Sequence, residues 1–204
     1  MVVAEISGTR QYIQFTGESV FAVVPENGKL LWRAPRKGQT AVIPTPVVHE
    51  NYVYVTSGYG IGCNLFRING SGNQFSAEQV YANRVMVNHH GGVVLIGEDL
   101  YGFSDQGGQW VCQKMKTGEM VWGERGRLGK GAVTAADGRL YLRAEGGKGT
   151  VVLLEPSPAG FMEKGRFDQP ERSSLQSWPH PVVANGKLYL RDQDVLLCYD
   201  VKQK

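Results

Sequence analysis

A tyrosine returns in the same setting five times along the chain, at Tyr12, Tyr54, Tyr101, Tyr141 and Tyr189, with separations of 42, 47, 40 and 48 residues. The last of these units is the clearest. A short apolar run (Val182, Val183) leads to Asn185-Gly186, then to the alternating Leu188-Tyr189-Leu190, an Asp-rich turn, and a third strand from Val195. Asn-Gly between apolar runs is a strong hairpin signal, because both central positions of the turn take positive φ. Asp137-Gly138 stands at the same place in the fourth unit. A repeat of about 40–50 residues made of short strands is the mark of a β-propeller, with one four-stranded blade per repeat. A helical array of similar period would need apolar residues at helical spacing over long windows, and no stretch shows that. The expectation is an all-β chain with almost no helix. It is one partial propeller domain, 1–204, with antiparallel blades at about 2–36, 40–81, 85–125, 130–167 and 175–204, the fifth stopping after three strands.

Composition agrees and excludes several function classes. Glycine, at 27 residues, is about twice its usual share, as a chain rich in turns requires. The net charge is +3 with Lys and Arg scattered, so no basic footprint for nucleic acid is visible. No apolar run approaches the roughly 18 residues of a membrane-spanning helix. The N-terminal Met1-Val2-Val3-Ala4-Glu5 stretch lacks the basic head and long apolar middle of a signal peptide. Cys63, Cys112 and Cys198 are far apart, which argues against a disulfide framework or a zinc site. Cys112 and Cys198 sit in apolar strand contexts and read as buried, inert thiols.

Two junctions share a Gly-x-x-x-Trp pattern: Gly28 to Trp32, and Gly118 to Trp122. The glycine suits a tight turn, and the indole offers a large flat face for docking on the next blade. Lys116-Thr117-Gly118-Glu119-Met120-Val121-Trp122 and Glu26-Asn27-Gly28-Lys29-Leu30-Leu31-Trp32 resemble the blade-closing motif of the pyrroloquinoline quinone (PQQ) repeat. The chain is similar at the level of blades to the PQQ-binding-like propellers of the quinoprotein alcohol dehydrogenase-like superfamily. That group holds alcohol and polyvinyl-alcohol dehydrogenases and a lipoprotein scaffold of outer-membrane protein assembly. Several consequences follow from the resemblance as expectations: an exported or periplasmic location, and a ring of seven or eight blades of which these five form the C-terminal part. The open strand edge at Val195–Val201 then favours self-association.

The sharpest polar cluster is Asn88-His89-His90-Gly91-Gly92, at or just before the first strand of the third blade. First strands line a propeller's central channel. Adjacent residues on a strand point to opposite faces, so the histidine pair cannot chelate one metal without a bend, which the two glycines would permit as a bulge. Trp178-Pro179-His180-Pro181 and Ile43-Pro44-Thr45-Pro46 lead into the fifth and second blades, where proline keeps the backbone extended. Asn88, His89, His90, Trp178 and His180 are therefore candidate ligand contacts at one channel mouth; simple packing is the competing reading. No metal site and no cofactor are expected. In the dehydrogenases that the chain resembles, PQQ works with a calcium ion and stacks on a disulfide between adjacent cysteines, and no adjacent cysteines occur here. The expected function is a non-catalytic module binding a protein or a small molecule. The alternative is a PQQ-dependent dehydrogenase oxidising an alcohol or sugar, with the same residues beside the quinone.

Overall fold

A sheet with an apolar face needs a second sheet to cover it, so each unit must pack against a neighbour. The computed structural model describes residues 1–202, and these form nineteen strands and no helix. The first blade holds β1 (Val2–Ile6), β2 (Thr9–Phe15), β3 (Ser19–Val23) and β4 (Leu30–Pro35). The second holds β5 (Val47–His49), β6 (Tyr52–Ser57), β7 (Gly62–Ser71) and β8 (Gln74–Asn83). The third holds β9 (Val93–Ile96), β10 (Asp99–Ser104), β11 (Gln109–Lys114) and β12 (Met120–Glu124). The fourth holds β13 (Gly131–Ala136), β14 (Arg139–Ala144), β15 (Val151–Glu155) and β16 (Met162–Phe167). The fifth has three strands, β17 (Val182–Ala184), β18 (Lys187–Asp192) and β19 (Val195–Asp200).

Every sheet is an antiparallel meander in chain order. The five tyrosines occupy one equivalent position on the second strand. They pair with Val3, Val47, Val94, Thr134 and Val182 of the first strand. Each four-stranded blade also carries a bulge between its third and fourth strands, at Ala22/Val23, Leu65/Phe66, Cys112/Gln113 and Leu153/Leu154. An extra residue at that point raises the local twist, which suits outer strands that must splay as a blade widens away from the axis.

Gly28 and Gly118 do what the motif predicts. Their φ angles are 71° and 75°, and their N–H groups donate to Val24 O and Lys114 O at 2.9 Å in matching turns. The two tryptophans divide the task differently. Trp32 is buried between blades one and two, and its indole N–H donates to Gln11 Oε1 at 2.7 Å inside its own blade. Trp122 is only half-buried and reaches across to the fourth blade, donating to Ser157 O at 2.8 Å and meeting Phe161 edge-on.

The core is a series of layers between successive sheets. Ile13, Phe15, Val20 and Trp32 meet Val53, Val55, Phe66 and Ile68. Tyr54 and Leu65 meet Leu100, Val111 and Met115, and Tyr101 and Trp110 meet Leu140, Leu142 and Val152. Each such fully buried aliphatic side chain contributes about 1.5–3 kcal/mol. Between blades four and five the layer thins to Val151, Leu188 and Leu190, with the Phe167 and Tyr199 rings 4.8 Å apart and tilted by 51°.

One expectation about cysteine fails here. Cys63 and Cys112 are buried, and burial pushes the Cys112 thiol up to about 11. Cys198 is exposed instead. It alternates with Leu197 and Tyr199 on β19 and so points to the face that no sheet covers among the described residues. The apolar run fixes which residues alternate, not whether both faces are buried.

Candidate functional site

In an up-and-down meander, the segment leading into the first strand and the turn between second and third strands fall at the same end of the blade. Eight polar or aromatic side chains meet at that end from four blades. They are Tyr59 after β6, His89 and His90 before β9, Asp105 after β10, Lys130 before β13, Glu145 after β14, and Trp178 and His180 before β17.

Asn88 builds the floor. It is 1% exposed, and its side chain closes residues 88–92 into a tight loop: Nδ2 donates to Gly92 O at 3.1 Å and to Phe103 O at 2.9 Å, while Oδ1 accepts from Gly92 N at 3.0 Å. The loop lies outside the strand, so the alternation expected for adjacent histidines does not apply. Their rings lie together, centroids 4.8 Å apart. The glycines form no bulge in that ladder; they allow close approach. A Cβ on Gly91 would sit 1.9 Å from Gly131 O, and one on Gly92 would sit 2.6 Å from His180 Cε1. Through Gly91 O, which accepts from Val133 N at 3.0 Å, the loop is bonded directly to β13. Gly91→Ala is expected to push blades three and four apart, lowering the thermal midpoint and scrambling the His89 and His90 resonances in NMR spectra. An unchanged spectrum would show that the close approach is not needed.

The rings continue as a ladder. Tyr59 meets His89 at 4.9 Å and 75°, His89 meets His90 at 55°, and His90 meets Trp178 at 5.6 Å and 45°. His180 Nε2 lies 3.0 Å from His90 O. Lys130 Nζ bridges Asp105 Oδ1 at 2.9 Å and His89 Nδ1 at 3.0 Å. Glu145 Oε2 is 2.8 Å from His90 Nε2 but off the direction of a ring N–H, and it has no hydrogen-bond partner; nor has the buried His90 Nδ1. Burial pushes both groups toward neutrality. Desolvation, then the neighbouring His89 and Lys130, brings His90 down to about 4, and desolvation raises Glu145. Burial and Lys130 also lower His89.

Because the folded His90 resists a proton that the unfolded chain accepts, its contribution to stability is present above the unfolded value. It is lost as pH falls from about 6.5 toward 4. An NMR titration of the imidazole Hε1 should therefore show no protonation of His90 at pH 6. A midpoint above 6 would contradict this environment.

The structure brings together four of the five residues expected at the mouth, His89, His90, Trp178 and His180, and gives Asn88 the part of frame. Tyr59, Asp105, Lys130 and Glu145 escape a reading by motif. The signal that finds them is topological, since each flanks a strand end at the same pole. Next to the ladder, Ile43, Pro44 and Thr45 join His90, His180 and residues 92–94 and 133–135 around a cavity of ≈ 440 Å³. Arg143 bridges blades, donating to Arg191 O at 2.6 Å, whereas Arg191 donates within its own turn to Gln193 O.

A calcium ion takes six or more oxygens, and among the described residues no group of three His, Cys, Asp or Glu side chains is placed to hold a metal ion. Cys63 and Cys112 are buried in separate layers, and the rings of the ladder are tilted, with no parallel slot for a flat cofactor.

Comparison with known proteins gives the fold a lineage. The crystal structure of BamB from Moraxella catarrhalis superposes with a TM-score of 0.65 at 16% identity, covering 93% of this chain and 53% of that one. The computationally designed Ika8 protein gives 0.66 at 10% identity, covering 98% and 67%. The chain thus spans about half the length of the natural structure it matches. No curated protein sequence matches it. The family described as outer membrane protein assembly factor BamB, a PQQ-repeat family, matches residues 1–124 of the 204, and the chain belongs to that family.

Proposed function

We propose that the chain is a non-catalytic binding or scaffold module without a resident cofactor. Its ligand contacts are His89, His90, Trp178 and His180, held by Asn88. The observation that carries this reading is that the one ammonium at the mouth is tied down: Lys130 is held by Asp105 and His89, while Glu145 and His90 face each other as buried groups pushed toward neutrality. An enzyme's nucleophile and base sit within hydrogen-bond reach of each other and are oriented by a third group; here the Lys130 contacts join the loops of blades three and four. Membership of the BamB family supports a protein partner and an exported location. No helix among the described residues is long and apolar enough to cross a membrane.

The test is incubation of the purified chain with PQQ and calcium, desalting, and dye reduction with alcohols and sugars. The expected result is no retained quinone absorbance and no dye reduction. Either signal would replace this reading with the dehydrogenase one.

The proposal extends to self-association. Among the described residues β19 has no fourth strand beside it, and Leu196 at 64% and Val182 at 53% exposure lie on the fifth blade. An unpaired, partly apolar edge is a template for another strand. Sedimentation is expected to show species heavier than the 22.4 kDa chain. A strictly monomeric particle would remove self-association from the proposal.

A further inference from the structure

We propose that the channel mouth recognises a neutral sugar, a pyranose or a stretch of oligosaccharide, laid on the exposed face of Trp178 and hydrogen-bonded by His90 and His180. The inference rests on the binding-module reading above and names its ligand class.

Trp178 is 59% exposed and Tyr59 is 43% exposed, at the two ends of the ring ladder, while Trp32 and Trp110 are buried. Large aromatic rings left in water are where a ligand is to be sought. Nor is Trp178 a loose surface residue. The preceding Ser177 donates from its N–H to Glu145 O at 2.9 Å and from Oγ to Arg191 O at 2.8 Å, and Pro179 follows. The backbone before it is held, and the indole meets His90 on one side at a tilt of 45°.

The class of ligand follows from what is and is not on offer. Rings tilted by 45° to 75° suit a puckered ring better than a planar one. The weakly positive C–H face of a pyranose complements the negative face of an indole. Lys130 is tied by Asp105 and His89, and the half-buried Glu145 is pushed toward its neutral form beside His90, so the mouth presents no strongly charged group to attract a charged ligand. What it presents are imidazoles. A neutral imidazole has one donor and one acceptor, as each sugar hydroxyl does. His180, with Nε2 against the His90 carbonyl, keeps Nδ1 as an acceptor. His90 is the buried partner: its side chain is 9% exposed, it lines the cavity, and its Nδ1 has no hydrogen bond. A buried polar atom without a partner is costly, and a hydroxyl would satisfy it. The cavity of ≈ 440 Å³ falls within the range of small-molecule sites, about 300–1,000 Å³, and its apolar wall of Ile43, Pro44 and Val133 can meet the C–H edge of a second ring.

The experiment is calorimetric titration of the full chain with maltohexaose, cellohexaose and N-acetyl-chitohexaose, with oligogalacturonate as the charged control. At least one neutral hexasaccharide is expected to bind, and Trp178→Ala to weaken it at least tenfold with an unchanged unfolding midpoint, because the ring is exposed. Trp178→Phe should recover part of the affinity, and His90→Asn should weaken binding in a chain whose fold is checked by circular dichroism. The inference is overturned if none of the three neutral sugars binds, if oligogalacturonate binds better than all of them, or if Trp178→Ala binds like the parent chain. Dye reduction with PQQ is a separate readout. If it stays negative while the sugars fail to bind, the sugar is wrong and the binding module stands.

Discussion

Trp32→Ala is expected to destabilise the chain by about 3–5 kcal/mol, a large share of the 5–15 kcal/mol typical of a domain. Two contributions act in the same direction. The indole is 3% exposed within the layer formed by Ile13, Phe15, Val53, Val55 and Phe66, so its removal leaves a cavity between two rigid sheets that cannot easily close. Its N–H is the partner of Gln11 Oε1 at 2.7 Å, and Gln11, fully buried, already has an unpartnered Nε2. The substitution would leave that whole amide unsatisfied. By contrast, Trp122→Ala should cost roughly half as much, since that ring is only half-buried and its carbonyl partner Ser157 O can turn to water. Urea unfolding should show a lower midpoint for Trp32→Ala with an unchanged slope. Equal losses for the two variants would mean that the shared motif, and not the different burial, sets the contribution.

Asp192→Ala is the second large effect, about 3–5 kcal/mol. Asp192 is 1% exposed and fastens the segment before β17 to the fifth blade. Its carboxylate accepts from Arg172 Nη1 at 2.7 Å, from Ser173 N and Ser173 Oγ at 2.8 Å, and from Gln169 Nε2 at 3.0 Å. Gln169 in turn accepts from the buried Arg143, and Arg172 Nη2 donates to Glu145 O at 2.6 Å. Removing the carboxylate strands two guanidinium groups in a poorly solvated place. Burial alone would raise this carboxyl, but the Ser173 N–H, the Arg172 guanidinium and the Ser173 hydroxyl outweigh it and bring it to about 2.

A carboxyl lower in the folded than in the unfolded state contributes stability above the unfolded value near 3.9. That contribution, on the order of 2 kcal/mol, disappears as pH falls from about 4 to 2. The parent chain should therefore lose stability steeply over that interval, after the shallower loss caused by His90, and Asp192→Ala should lack the steep part. Denaturant midpoints measured between pH 2 and 7 read both. An identical acid profile for the two proteins would show that the clasp carries no linkage. Because Arg172 and Ser177 donate to the same acceptor, Glu145 O, Asp192→Ala should loosen Trp178 and weaken any ligand resting on it.

Most of the fold was legible because a propeller repeats its instructions. Asn185-Gly186 and Asp137-Gly138 name the turns, the tyrosines name the second strands, and Gly28 and Gly118 name the turns before fourth strands. Each of these signals is local. The site was legible only in part for the same reason. His89, His90, Trp178 and His180 stood out as unusual residues near strand starts, yet Lys130 and Glu145 look like ordinary surface charges in sequence. Asp192 reads as a turn residue and is instead a buried anchor, because its partners lie about 20 residues away in a segment of no regular pattern.

The sequence alone thus determined the period, the strand order and the class of fold, since turn chemistry and side-chain alternation act within a few residues of the chain. Tertiary structure alone decided which face of each sheet is covered, why Cys112 is buried and Cys198 exposed, and how four rings from three blades form one ladder. Those outcomes depend on the stacking of one blade against the next. That stacking joins residues 30 to 90 positions apart through contacts that no local pattern encodes.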